Sequence, residues 1–179
     1  MMFEPLVLEG YEWVKPYDPT DFEVFLAFDG TRRGDGWRPV KVRRVRADQG
    51  QAFVASDFPW LGAHALVMRP RALDALHDVL EAHGEILPLT TDDGVSLWVF
   101  NVTCIRDALD TERSAVVRFP GTDKIMRITS PVFRGSAVHG VDVFRLPHRA
   151  SPTYVSQRFV SMVKDARLVG FGFKPVPLS

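Results

Sequence analysis

The 179-residue chain has a single cysteine, Cys104, so no intrachain disulfide can form and a small disulfide-stapled scaffold is excluded. It has no excess charge: 22 Lys and Arg face 22 Asp and Glu. Phosphate binding usually needs a strong basic excess, so nucleic acid is not expected as the main partner. No stretch approaches the roughly 18 apolar residues of a membrane span, and Glu4 and Glu9 stand where a signal peptide would carry cations and an apolar run. The expected address is the cytoplasm, with no membrane partner.

Catalytic signatures are equally scarce. There is no H-E-x-x-H and no G-x-S-x-G. The glycines from Gly30 to Gly36 lack the Lys-Ser/Thr pair of a phosphate loop and read as turn chemistry. His77 and His83 lie on one expected helix about 240° apart, too far round to share a ligand. Cys104 has no catalytic-cysteine motif around it and is expected to pack as a small hydrophobe. No metal or other cofactor is implied.

What the sequence does contain is apolar mass for one core, with 13 Phe and 4 Trp, and at about 100–200 residues per domain the span 1–179 is expected to be one domain. Segments rich in Val, Ile, Phe and Trp, bounded by Gly, Pro or Asp, predict about eight strands. They fall at 22–28, 40–46, 64–68, 95–103, 115–119, 125–133, 141–146 and 168–176. The first two are expected to form a hairpin around the loop Asp29–Trp37, with a bulge where Arg43 and Arg44 interrupt the alternation. Two amphipathic helices are predicted at about 70–83 and 156–166, with Pro70 at the first helical position and Ser156 as an N-cap. A short turn of helix at Ile105–Leu109 is a further option. Strands outnumber helices without alternating with them, which indicates an α+β fold with a mainly antiparallel or mixed sheet.

Three surfaces suit a protein partner. Arg32, Arg33 and Arg43, with Trp37 nearby, make a basic stretch. Asp74, Asp78 and Glu81 make an acidic stripe on the first long helix. Phe58 and Trp60 supply aromatic anchors of the kind that dominate interfaces.

The ordered segments FEVFLAFDGTRR (Phe22–Arg33), WRPVKVRRV (Trp37–Val45), DFPWLGAHALVMRPRALDAL (Asp57–Leu76), EAHGEILPL (Glu81–Leu89), FNVTCIRDALD (Phe100–Asp110), VFRLPH (Val143–His148) and YVSQRFVSMVKDARLVGFGF (Tyr154–Phe173) span almost the entire chain. Together they resemble the bacterial polymorphic-toxin immunity family that is eleventh in the numbered immunity series. The resemblance implies a non-enzymatic protein without a cofactor, which binds and neutralises a cognate toxin. It transfers no catalytic residue and defines no binding surface. The nine residues above are therefore candidate toxin contacts on physical grounds, the basic group for an acidic toxin face and the acidic group for a basic one. Two alternatives stay open: a hydrolase using His148 or His64 with Asp57 or Asp142, and a regulatory domain that binds some other protein.

Overall fold

A computed structural model describes residues 1–179. The chain begins with strands β1 (Met2–Val7) and β2 (Trp13–Pro16), the short helix α1 (Phe22–Leu26), strands β3 (Lys41–Val45), β4 (Ala47–Asp48), β5 (Gln51–Ala52) and β6 (Val67–Met68), and helix α2 (Pro70–Glu81). It continues through β7 (Gly84–Thr91), β8 (Leu97–Val102), β9 (Ala115–Arg118), β10 (Ile125–Ser130), α3 (Gly135–Val138), β11 (Val143–Arg145), β12 (Thr153–Ser156), α4 (Gln157–Asp165) and β13 (Phe171–Val176). The fold is α+β, and no helix is long and apolar enough to cross a membrane.

Two sheets carry the structure. One has the strand order β2-β3-β7-β8-β6 and is mixed, because β3 runs parallel to β7 while its other pairs are antiparallel. The other, β11-β12-β1-β13, is antiparallel throughout. Strand alternation sends side chains to opposite faces. Along β8, Leu97 and Val99 enter one apolar cluster with Phe25, Phe28 and Val42, whereas Phe100 and Val102 enter another with α2 and α4. The second cluster is shared by both sheets, taking Val143 and Val155 from the antiparallel one. Phe144 and Tyr154 point the other way, into a third cluster with Phe133 and Leu109.

The two long helices form where the sequence places them. Pro70 opens α2. Ser156 Oγ accepts from Phe159 N at 3.2 Å and caps α4. The far end of α4 closes in a Schellman motif: Arg167 adopts φ +51°, its N–H donates to Lys164 O, and Leu168 N donates to Val163 O at 3.0 Å. Arg71 of α2 then donates to the carbonyls of Ala166 and Arg167, at 2.8 and 2.9 Å, and fastens this end to the first helix.

Four local expectations are corrected. Phe22–Leu26 is helical rather than a strand, since Asp18 caps a tight turn from Pro19 and the i,i+3 pair Phe25 and Phe28 is buried on one side. The hairpin with Val40–Arg46 therefore does not exist, and β3 pairs with β2 and β7 instead. The β2–β3 register runs without a break from Trp13↔Val45 to Pro16↔Val42, so there is no bulge at Arg43 and Arg44. Ile105 and Leu109 make isolated bridges to Arg145 and Phe133 rather than a helical turn.

Gly170 marks the tightest crossing, between α4 and β13. Its φ is +112°, and a Cβ there would lie 1.8 Å from Ser56 Oγ. Gly170→Ala is expected to destabilise the fold by about 2 kcal/mol or more, seen as a lower urea midpoint with an unchanged m-value.

Candidate functional site

The alternation of β7 and β8 explains how the loop carrying the arginines is held. Glu85 lies on the same face as Leu87 and Leu89, and its register partner Asn101 lies on the face of Leu97 and Val99. Both are polar residues at the end of an apolar face, so they must find partners. Asn101 Nδ2 donates to Glu85 Oε2 and to Thr31 O, each at 2.9 Å. Glu85 in turn accepts from the backbone N–H of Arg33 at 2.7 Å and of Gly34 at 3.1 Å, with Arg32 at 4.0 Å. Burial raises the Glu85 pKa, but the hydrogen bonds from Arg33, Asn101 and Gly34 and the charge of Arg32 outweigh it and hold the carboxyl below its ordinary 4.5. The basic loop is thus clamped by one carboxylate from below.

This clamp brings together surfaces that the sequence presents as separate. Helix α2 leads almost directly into β7, so Glu81, at the end of the acidic stripe, stands beside Gly84 and Glu85. Arg32, Trp37 and Glu81 line a single open groove of about 560 Å³, floored by Ile86–Pro88 of β7. Trp37 is anchored there by its Nε1, which donates to Pro88 O at 2.8 Å. Arg32 is 65% exposed and Glu81 is 65% exposed, which leaves opposite charges on the two walls. Asp74 and Asp78 continue the acidic stripe up the exposed face of α2, outside the groove.

The remaining candidates are placed elsewhere. Arg33 turns inward over Phe28 and donates to Ala27 O. Arg43 pairs with Asp92 at 2.9 Å and covers the ring of Tyr17. Phe58 is a correction: it is 1% exposed and stacks on Phe171 with centroids 4.2 Å apart, so it has no surface to offer a partner. Trp60 packs edge-on against the same Phe171 and is largely core.

The residues of the hydrolase alternative do not converge. His64 is buried against Phe22, and its pKa is lowered to about 4 by burial and by the charge of Arg145, so the ring is neutral. Asp57 accepts from Arg71 at 2.9 Å and from Val169 N at 2.8 Å, which ties it to the α4–β13 turn. Asp142 accepts from Ser156 Oγ and Arg158, at 2.6 and 2.5 Å. No hydrogen bond links His64 or His148 to either aspartate. Cys104 is half-buried, and burial pushes its thiol pKa up.

Two measurements check this geometry. Glu85→Gln keeps the shape but removes the charge, and amide exchange at Arg33 and Gly34 is expected to accelerate about fivefold to tenfold while the core amides stay protected. For His64, the folded pKa of about 4 lies below the ordinary 6.5. The unfolded chain takes up that proton first, so the stability tied to neutral His64 is present above pH 6.5 and lost as pH falls toward 4. The expected loss is about 3 kcal/mol. His64→Leu should flatten the dependence of the urea midpoint on pH between 6.5 and 5.

No curated protein matches the sequence. Residues 90–177, from the end of β7 through β13, match the family model described as the Immunity protein family (Imm11), the family that the ordered segments of the whole chain resemble.

Proposed function

We propose that this chain is an immunity protein of a bacterial polymorphic-toxin system, which binds its cognate toxin and neutralises it by occlusion, without catalysis. The match of residues 90–177 to the immunity family carries this reading. The protein acts in the cytoplasm as one domain, residues 1–179, where the toxin would otherwise reach its target.

The groove between the 31–37 loop and the end of α2 is the proposed docking site. It has the make-up of an interface: a part-buried aromatic and prolines at the centre, with charged side chains at the rim. Arg32 faces an acidic element of the toxin, while Glu81, Asp78 and Asp74 face a basic one. A toxin segment seated here would meet both signs at once, so one face can discriminate orientation as well as partner. Arg43 extends the surface beyond the groove, and Arg33 contributes through the loop it holds in place.

The gene neighbouring this reading frame is expected to encode the toxin. Co-expression of that toxin with the Arg32→Glu variant should lower survival about tenfold or more relative to the parent protein, with an unchanged circular dichroism spectrum. Undiminished protection by a folded Arg32→Glu protein, and likewise by a Trp37→Ala protein, would rule out the groove.

A further inference from the structure

The antiparallel sheet ends in a buried cation that no carboxylate touches. Arg145, the last residue of β11, is 1% exposed. Its guanidinium donates only to two backbone carbonyls, Ser151 O at 3.0 Å and Phe28 O at 2.8 Å. Burial lowers its pKa to about 10, with partial compensation from Asp29, so it keeps its proton at neutral pH. The field of this charge reaches His64, whose own protonation it opposes. A buried charge without a counter-ion is costly, and carbonyl dipoles offset only part of that cost.

The cation lines a cavity. About 330 Å³ of space separates the end of α1 and its following turn, Ala27–Asp29, from Ile105 and from the stretch Arg145–Arg149. On the same wall His148 has a buried Nδ1 without a hydrogen-bond partner, and Arg149 stands at the edge, paired at 2.6 Å with the exposed Glu23. The one acidic side chain of the lining, Asp29, is engaged away from Arg145: its Oδ1 accepts from Thr31 N at 3.0 Å and lies 3.7 Å from Arg33. Phe28 and Ile105 supply apolar wall. The space is thus lined by a permanently charged guanidinium whose Nη2 makes no hydrogen bond, by an imidazole and by an apolar flank, a chemistry that suits a carboxylate.

We propose that this cavity is a binding site for a carboxylate, anchored by Arg145 and flanked by His148. The group is carried either by a free small acid or by an acidic side chain of a partner, and both present the same atoms to the guanidinium. The site is separate from the groove at Arg32 and Trp37, and its occupation does not depend on the toxin.

Thermal unfolding of the full chain measures this directly. Glutarate at constant ionic strength, with chloride as the control, is expected to raise Tm by about 4 °C at saturation. The acetylated and amidated peptide Ala-Glu-Ala tests the second source. A shift with glutarate alone assigns the site to a free acid, and a shift with the peptide assigns it to a side chain. Arg145→Met should abolish the shift. Ala27→Trp, which fills the mouth from the exposed end of α1 and leaves Arg145 in place, should abolish it too and serves if Arg145→Met does not fold. No shift with either probe, or an undiminished shift in Ala27→Trp, overturns the proposal. Since no toxin is present in these measurements, such a result leaves the immunity reading standing.

Discussion

A buried carboxylate must be neutralised where it sits, and Glu12, 2% exposed, is the point on which the arrangement of this fold turns. Its oxygens accept from Arg44 Nη1 at 2.8 Å, from Arg69 Nε at 3.0 Å and Nη2, and from Ser56 N at 3.1 Å. Arg44 lies on β3, Arg69 immediately precedes α2, and Ser56 is packed against Gly170. One side chain therefore ties the mixed sheet, the first long helix and the turn after α4 into a fixed relation. Arg44 continues the chain of charges to Asp93, at 2.5 Å, beyond the end of β7. The geometry is demanding, because each partner of Glu12 left unpaired would carry its own desolvation cost.

The neutral total of the sequence takes on a different meaning in this light. Much of the charge is spent inside or just beneath the surface: Glu12 with Arg44 and Arg69, Asp57 with Arg71, Glu85 with the loop amides. Arg32 and Glu81 face solvent across one groove, while Arg145 is enclosed with no carboxylate in hydrogen-bond contact. A balanced composition can hide both a two-signed surface and an interior cation that no carboxylate touches.

The features legible in the sequence are those encoded locally. Helices α2 and α4 carry their own punctuation in Pro70 and Ser156, and their apolar stripes repeat at helical spacing. The long apolar runs at 95–103 and 168–176 read correctly as strands because length and β-branching agree. Strands β1, β2, β7 and β12 lie outside the segments the sequence marks as strands: β1, β2 and β7 hold Pro5, Pro16 and Pro88 beside charges, and β12 is only four residues long. Phe22–Leu26 has strand-like composition but is overruled by the burial of Phe25 and Phe28. At the site, Arg32, Trp37 and Glu81 were visible as residue types, but their meeting depends on the α2–β7 junction. Glu85 and Asn101 did leave a signal: a polar residue inside an otherwise apolar alternation must be paired, and here it is paired to the loop that carries Arg32.

The pairing of β1 with β12 and β13 sets the order of events during synthesis. Met2 lies opposite Ser156 of β12 and Val176 of β13, so β1 has no strand neighbour until the chain has been made beyond Thr153. At about 5–20 residues per second that interval is roughly ten to thirty seconds. Throughout it, an extended apolar segment would present free edges to any passing strand. Glu4 and Pro5 lie in the middle of that segment, one adding charge and the other removing an amide donor, and both make it a poor template for the wrong partner. Two residues that weaken the strand locally thus protect the nascent chain while it waits for β12 and β13.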